Sequence, residues 1–223
     1  MSMEHLSIDV GQGGQVSALL VRPQAARACY VLAHGAGAGM SHHFMEEVAA
    51  GLADRDIATL RYQFPYMEKG SKRPDAPAVA HAAVRAAVAE AARRCADLPL
   101  LAGGKSFGGR MTSQAQAIKP LPGVRGLVFL GFPLHPAGKP ATERAAHLGK
   151  ILIPMLFVQG TQDKLAETAL IRLAVAALGS ASLHEVAAAD HAFHVPARSG
   201  RTDREVMTEI LDAVAAWVRA MAG

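Results

Sequence analysis

A serine, an aspartate and a histidine that could act together on a carbonyl group follow one another along this sequence. Ser106 is the central residue of Gly-Lys-Ser-Phe-Gly, a Gly-x-Ser-x-Gly motif, and Asp163 and His191 come after it in that order. In such a set the histidine takes the proton of the attacking serine, and the carboxylate orients the imidazole and stabilises its charged form. The three residues therefore predict nucleophilic catalysis, provided that the fold brings them together.

The residues around Ser106 predict a sharp turn from a strand into a helix. An apolar segment at 98–102 leads into the motif, and a helical pattern over 107–118 follows it. The glycines two residues before and after the serine let strand and helix pass closely while the serine takes a strained backbone conformation. Ser106 would then lie at a helix N-terminus, which favours developing negative charge.

Two other interpretations of the motif compete with this one. Gly-Lys-Ser also ends the phosphate-binding loop of nucleoside triphosphatases, but that loop needs a glycine at position 99, where this chain has Pro99. The motif could also be a glycine-rich turn that carries an incidental serine. Only the partners of Ser106 can decide between these interpretations.

The predicted partners follow buried strands, as ligand-binding residues do in open α/β sheets. Asp163 comes after the apolar segment 154–159, and an aspartate there could instead cap a loop or helix. His191 follows the segment 182–186 in an Asp-His step, and we predict it as the base. His194 is the rival, but we expect it to line the pocket or to cap a carbonyl. The His-x-x-His spacing lacks a nearby third ligand, so we predict no metal.

A glycine-rich turn after the strand 29–33 is expected to supply an oxyanion hole. We predict the N–H groups of Ala36 and Phe107 as its two donors. A dinucleotide-binding interpretation of this turn fails because Met40 replaces the last glycine of that motif. We also expect five further residues to line the pocket: His34, Gly35, Lys105, Phe132 and His194. Of these, His34 is expected to have a structural role in the turn and not to act as a second base.

The order of elements predicts a doubly wound, mostly parallel sheet after an N-terminal antiparallel hairpin. Thr202 and Glu205 form a capping box before an amphipathic final helix. We predict hairpin strands at 6–10 and 16–21, then strands at 29–33, 57–62, 98–102, 124–130, 154–159 and 182–186, with helices at 43–54, 77–95, 107–118, 165–177 and 203–221.

Length and composition suit a single domain over residues 1–223. Half of the residues are hydrophobic, only 5% are aromatic and the net charge is +4. The basic residues are dispersed, so we expect no nucleic-acid partner. No apolar run is long enough for a membrane span. The absence of a leader pattern and the two separate cysteines, Cys29 and Cys95, favour the cytoplasm.

Several segments together resemble the small bacterial α/β-hydrolases, close to the dienelactone-hydrolase-like branch. Relatives of this group include the α/β-hydrolase-like, non-catalytic subunit of a histone acetyltransferase complex. The similar segments are Ala-His-Gly-Ala-Gly-Ala-Gly-Met (33–40), Arg-Tyr-Gln-Phe-Pro-Tyr-Met (61–67), Gly-Gly-Lys-Ser-Phe-Gly-Gly-Arg (103–110), Gly-Phe-Pro-Leu-His-Pro-Ala-Gly-Lys-Pro (131–140), Phe-Val-Gln-Gly-Thr-Gln-Asp (157–163) and Ala-Asp-His-Ala-Phe (189–193).

The resemblance implies an α/β-hydrolase fold without a large lid, a triad of Ser106, Asp163 and His191, and no cofactor. It favours an esterase-type acyl hydrolase acting on a small soluble ester, thioester or lactone. The alternative is a non-catalytic scaffold or binding protein on the same fold. We expect 131–150 to roof part of the site and 62–75 to border it. The expected partners are a small-molecule substrate and, as one possibility, a second copy of the chain in a homodimer.

Overall fold

The computed structural model describes residues 2–222 and contains one eight-stranded sheet. Short, mostly apolar segments form its inner strands, since both faces of those strands are covered. The strands, in chain order, are β1 (Ser2–Asp9), β2 (Gln15–Arg22), β3 (Ala28–Ala33), β4 (Ile57–Tyr62), β5 (Leu100–Lys105), β6 (Val124–Leu130), β7 (Met155–Gly160) and β8 (Ala181–Val186).

The sheet has the order β1-β2-β4-β3-β5-β6-β7-β8. The hairpin strands β1 and β2 pair antiparallel, and β2 also runs antiparallel to β4. The other pairs are parallel. The prediction of a mostly parallel sheet with an antiparallel N-terminal hairpin is therefore confirmed.

Helices cover both faces of the sheet. The α-helices are α1 (His43–Ala53), α2 (Pro65–Glu68), α3 (Pro77–Arg94), α4 (Phe107–Ile118), α5 (Thr168–Ala176) and α6 (Asp203–Ala222). Apolar residues of α3, α4 and α5 pack on one face, and those of α1 and α6 pack on the other. In α3 the buried positions are mostly alanine, which lets the helix lie close to the sheet.

Predicted boundaries differ most from the structure at three places. The strand predicted at 6–10 runs from Ser2 to Asp9. The strand predicted at 98–102 runs from Leu100 to Lys105, because Gly103 and Gly104 pair with β3 on one side and β6 on the other. The helix predicted from 165 begins at Thr168, because the preceding residues form a turn in which the Leu165 N–H donates to Asp163 Oδ1 at 2.7 Å. The short helix α2 was not predicted.

The chain reverses its winding direction at β3. After β3 it adds β4 on one side and then crosses to add β5 on the other. The carboxyl ends of β3 and β5 therefore flank a crevice of the kind that binds ligands in open α/β sheets. The predicted oxyanion turn and the Ser106 motif leave these two strands.

The last helix begins with the predicted capping box. The Thr202 N–H donates to Glu205 Oε2 at 2.7 Å, and the Glu205 N–H donates to Thr202 Oγ1 at 3.3 Å. This reciprocal pair satisfies two backbone donors that the first turn would leave free. Within residues 2–222, no helix combines the length and the apolar character that crossing a bilayer requires.

Candidate active site

Ser106 lies at the junction of β5 and α4, in a backbone conformation that residues other than glycine rarely adopt. Its φ and ψ are 48° and −112°, and its N–H donates to the Leu130 carbonyl at 3.2 Å. A non-glycine residue held in such a region costs about 1–3 kcal/mol, which the surrounding structure must offset. The turn projects the Ser106 side chain above the carboxyl edge of the sheet, between the ends of β3 and β6.

The glycines of the motif are required by close backbone contacts. A Cβ atom on Gly104 would lie 2.1 Å from the Ala33 carbonyl oxygen, and one on Gly108 would lie 2.6 Å from that oxygen. Any larger residue at either position would separate α4 from β3. The steric reasoning behind the sequence motif therefore holds in this chain.

His191 connects Ser106 with Asp163. Its Nε2 atom lies 2.8 Å from Ser106 Oγ, and its Nδ1 atom lies 2.6 Å from Asp163 Oδ2. A carboxylate only accepts hydrogen bonds, so Nδ1 carries the proton and donates to Asp163. Nε2 is then the acceptor, and the Ser106 hydroxyl donates to it. A hydroxyl bonded in this way is arranged to transfer its proton to the imidazole.

Three donors surround the Asp163 side chain, which is fully buried just beyond the end of β7. Besides His191, the Gln159 side-chain amide donates to Oδ2 and the Leu165 N–H donates to Oδ1. These hydrogen bonds offset the loss of water around a buried carboxylate. Gln159 was not singled out in the sequence, although a glutamine near the end of an apolar strand is the signal that could have found it.

The loop that carries His191 is folded around Asp190. The carboxylate atom Oδ1 accepts hydrogen bonds from the N–H groups of Ala192 and His194 at 2.8 and 3.0 Å. The Asp190 N–H also donates to the His194 carbonyl at 3.0 Å. Asp190 therefore fixes the loop that carries His191, whereas Asp163 is the carboxylate that orients the His191 ring.

Lys105, a predicted pocket residue, holds the same loop from the side of Ser106. Its ammonium group donates to the His191 carbonyl, and it lies 5.6 and 5.0 Å from the ring centres of Phe44 and Phe193. The carbonyl oxygen and the two aromatic rings all favour a cation at this point. Burial nevertheless lowers the pKa of Lys105 to about 8, an effect that Asp163 and Asp190 oppose.

Two backbone N–H groups lie beside Ser106, one in the turn after β3 and one at the start of α4. Gly37 N–H donates to Tyr66 Oη at 3.1 Å and Met40 N–H donates to Gln63 Oε1 at 2.8 Å, so the turn is fixed from outside. Within residues 2–222, neither the Ala36 N–H nor the Phe107 N–H donates to a protein acceptor. Both residues line the cleft together with Ser106.

His34 requires a correction, because it does not line the cleft. Its ring is fully buried beneath the turn. Nδ1 lies 2.8 Å from the Gly35 carbonyl oxygen and Nε2 accepts from the Phe64 N–H at 3.0 Å. Burial lowers the pKa of His34 to about 4. The neutral ring links the turn to Phe64, so the structural role expected of His34 holds. Gly35, by contrast, does line the cleft.

Phe132 requires a second correction. We predicted it as part of a roof, but its side chain is fully buried and packs on Phe129 and Phe157, with ring centres 5.4 and 5.6 Å away. The chain turns inward after β6, and the Phe132 N–H donates to Gln159 Oε1 at 2.8 Å. The segment 131–150 instead reaches the cleft through Pro133 and Arg144.

His194 is the third correction. Its side chain is 63% exposed, and its Nδ1 atom pairs with Asp203 Oδ2 at 2.8 Å. This pair raises the pKa of His194. The residue faces a separate surface depression with Asp203, Arg204 and Met207, and does not face Ser106.

The cleft has two lobes that share Ser106. The apolar lobe, about 380 Å³, includes Phe44, Met45 and Leu165 among its walls, together with Lys105 and His191. The arginine lobe, about 360 Å³, includes Phe107, Arg110 and Arg144 among its walls, and is bordered by 74–77. The predicted border at 62–75 thus touches the cleft only at its end. Arg144 lies in the segment without periodicity, where the sequence carried no signal for it.

A second serine–histidine contact occurs on α4. Ser113 Oγ lies 2.7 Å from His147 Nε2, and it also donates to the Arg110 carbonyl at 2.9 Å. Ser113 is fully buried. Among residues 2–222, no group of three or more histidine, cysteine, aspartate or glutamate side chains is placed to hold a metal ion.

The family described as "Alpha/beta hydrolase domain" matches residues 26–219. This range contains β3 to β8, all six helices up to Arg219, and every residue of the cleft discussed above. The hairpin β1–β2 precedes it.

Solved structures with the same fold cover nearly the whole chain. An alpha-beta serine hydrolase homologue from Coxiella burnetii has a TM-score of 0.76 and 21% identity, over 96% of this chain and 98% of that one. A dienelactone hydrolase from Anabaena variabilis has a TM-score of 0.77 and 20% identity, over 98% and 97%. A serine hydrolase without lid from Xanthomonas campestris has a TM-score of 0.75 and 18% identity, over 97% and 95%.

Proposed function

Since this chain belongs to the alpha/beta hydrolase domain family, we propose that it is a serine hydrolase of carboxylesterase type, with Ser106, His191 and Asp163 as its triad. The observation that carries the proposal is the continuous contact from Ser106 Oγ through both nitrogens of His191 to the buried Asp163. The family and the dienelactone hydrolase and serine hydrolases of similar fold support the same reaction class.

In the first half-reaction the Ser106 oxygen attacks the carbonyl carbon of the substrate while its proton passes to His191 Nε2. Asp163 stabilises the resulting imidazolium through Nδ1–H. His191 then gives the proton to the leaving alcohol or thiol, and an acyl group stays on Ser106. In the second half-reaction His191 activates water in the same way, and the acid is released.

The negative charge that develops on the carbonyl oxygen needs donors beside Ser106. We propose the N–H groups of Ala36 and Phe107 for this role. Neither donates to a protein acceptor among the described residues, and Phe107 is the first residue of α4, whose N-terminal dipole favours an anion. Donors fixed before the reaction lower the barrier because they need no reorganisation during it.

The substrate class proposed is a small ester, thioester or lactone. The cleft consists of two lobes of about 380 and 360 Å³ on either side of Ser106. This space suits a small molecule with one group in each lobe. All the residues of the mechanism belong to one chain, and the mechanism needs only water as a second reactant.

Hydrolysis of short p-nitrophenyl esters tests the proposal. We expect wild-type protein to release p-nitrophenol above the rate in buffer, and Ser106→Ala to lose that activity by about a thousand-fold or more. The matched control is Ser113→Ala, which removes the other histidine-bonded hydroxyl of the same helix and should retain the activity. Equal rates for wild type and Ser106→Ala would favour the non-catalytic scaffold.

A further inference from the structure

The arginine lobe places two guanidinium groups beside Ser106. Arg110 lies in the first turn of α4, where its N–H donates to the Ser106 carbonyl at 3.1 Å. Arg144 comes from the short 3-10 helix Glu143–Ala145, in the segment 131–150 that reaches the cleft through Pro133 and Arg144. Both side chains are partly buried and line the lobe together with Ser106 and Phe107.

Among the residues that the structure describes, neither guanidinium group has a protein partner. Over residues 2–222, Arg110 and Arg144 donate no side-chain hydrogen bond and form no ion pair, and the Nε atom of Arg110 is buried without an acceptor. This sets them apart from the other arginines that are buried or partly buried. Those others donate to a carboxylate or to a backbone carbonyl: Arg22, Arg55, Arg61, Arg85, Arg94 and Arg201.

The electrostatics of the lobe favour an anion. Burial lowers the pKa of Arg110, and the nearby positive charge of Arg144 lowers it further. The lobe also contains Asp75, but its Oδ2 atom accepts the Tyr66 N–H at 2.9 Å. Two cations therefore face one carboxylate that is already bonded to the backbone.

A buried donor without a partner is unfavourable for stability, and two adjacent like charges add to that effect. Such an arrangement in the wall of a cleft indicates a ligand that supplies the missing acceptors. The planar guanidinium group matches the oxygens of a carboxylate or a phosphate, which it can bind through two parallel hydrogen bonds.

We propose that the arginine lobe binds a compact anionic group, a carboxylate or a phosphate, on the substrate whose ester bond Ser106 cleaves. This inference rests on the proposed function for the ester bond. It adds a substrate class, namely esters that carry an anion a short distance from the carbonyl group, and it assigns Arg110 and Arg144 to specificity.

Matched ester pairs test the proposal by comparing kcat/KM. The first pair is p-carboxyphenyl acetate and its neutral methyl ester, which differ in the leaving group. The second pair is mono-p-nitrophenyl succinate and its neutral methyl ester, which differ in the acyl group. An additional substrate, p-acetoxyphenyl phosphate, distinguishes a phosphate site from a carboxylate site.

We expect the anionic member of at least one pair to be preferred by about tenfold or more, after correction for the uncatalysed rates. Arg110→Met and Arg144→Met should each reduce that preference about tenfold. The control is Arg125→Met, which removes an exposed arginine remote from Ser106 and should keep the preference. Equal kcat/KM values within both pairs, or preferences that survive both substitutions, would overturn the proposal.

Thermal stability separates this role from a structural one. Because neither guanidinium group loses a protein partner on replacement, Arg144→Met should melt at or above the wild-type temperature. A fall in Tm of more than about 5 °C would instead identify a structural arginine and contradict the proposal.

Failure of the proposed function would leave a different result. If wild-type protein hydrolyses none of the esters, the lobe is tested by calorimetry with benzoate and inorganic phosphate as probes. Binding of either probe that Arg144→Met abolishes would sustain the anion site without the hydrolase. The absence of binding by both probes would overturn it.

Discussion

Two serine–histidine pairs lie about two helical turns apart, one just before α4 and one within it, with nearly the same contact distance. Ser106 Oγ is 2.8 Å from His191 and Ser113 Oγ is 2.7 Å from His147. By distance alone either pair could contain a nucleophile and its base. The surroundings of the two pairs differ in three respects, and each difference affects reactivity.

The first difference is the direction of the proton. Ser113 donates its hydroxyl hydrogen to the Arg110 carbonyl at 2.9 Å, so its oxygen accepts from His147 Nε2. A histidine that donates to a serine cannot take that serine's proton. The Ser106 hydroxyl has no such carbonyl acceptor in the described part of the chain, and Asp163 fixes the opposite tautomer on His191.

The second difference is the group that contacts the other nitrogen of each imidazole ring. The Nδ1 atom of His191 contacts the buried carboxylate of Asp163. His147 has no carboxylate partner among the described residues, and burial, with Arg110 as the next cause, lowers its pKa to about 4. Proton transfer to a ring that resists protonation is unfavourable near neutral pH.

The third difference is access. Ser106 borders both lobes of the cleft and sits at a strained turn, whereas Ser113 is fully buried in ordinary helix. A back-bonded serine inside a helix is a common structural feature. A short serine–histidine distance therefore indicates a nucleophile only when a carboxylate, a free hydroxyl proton and an open cleft accompany it.

Of the substitutions that distinguish the two pairs, Asp163→Asn is expected to have the largest effect on activity. The asparagine amide can donate to Nδ1, which would leave the proton on Nε2 and give His191 the tautomer that His147 already has. We expect kcat for a p-nitrophenyl ester to fall by about ten-thousand-fold while the fold is retained. Steady-state kinetics with circular dichroism measures both quantities.

Controls for that change come from the exposed pair His194 and Asp203. Asp203→Asn removes a carboxylate from a histidine in the same region of the chain, and His194→Ala removes the histidine. An exposed pair of this kind contributes about 1 kcal/mol or less. Both variants should keep kcat within about twofold, and a larger loss in His194→Ala than in His191→Ala would contradict the assignment of the base.

A smaller effect is expected on the pH dependence of the protein's stability, through the titration of His147. Its pKa in the folded chain, about 4, lies below the ordinary value of 6.5. As pH falls from about 6.5 toward 4, the unfolded chain gains a proton at this position that the folded chain does not, and stability decreases. His147→Gln keeps a donor for Ser113 and cannot titrate. Wild-type protein should therefore lose more thermal stability than His147→Gln between about pH 7 and pH 5.

Parallel melts of the two proteins across that range provide the measurement. His34 has a similarly lowered pKa but is present in both proteins, so its contribution cancels in the difference. A constant difference in Tm between the proteins would mean that His147 titrates normally, and the contrast between the two histidines would be lost.

The sequence predicted the sheet and the main contacts of Ser106 because local patterns encode them. Apolar strands, the glycines at 104 and 108, and strand-end positions for Asp163 and His191 depend on short segments and on the ordering rule of parallel sheets. The pairing register then brings the strand ends together, although they are far apart along the chain.

The errors about the site all arise where tertiary packing decides a side chain's direction. Phe132 and His34 follow strands as cleft residues do, yet one turns into the core and the other bridges Gly35 and Phe64. His194 is three residues from His191 but is drawn away by Asp203. Arg144 and His147 lie in a segment without periodicity, so nothing in the sequence indicated their contacts with the cleft or with Ser113.

Labelling with a fluorophosphonate probe, followed by intact mass spectrometry, tests most directly whether Ser106 alone of the two serines is a nucleophile. An activated hydroxyl attacks the phosphorus centre and retains the probe. We predict a single adduct on wild-type protein and on Ser113→Ala, and none on Ser106→Ala. Labelling that survives Ser106→Ala, or that requires Ser113, would contradict the account.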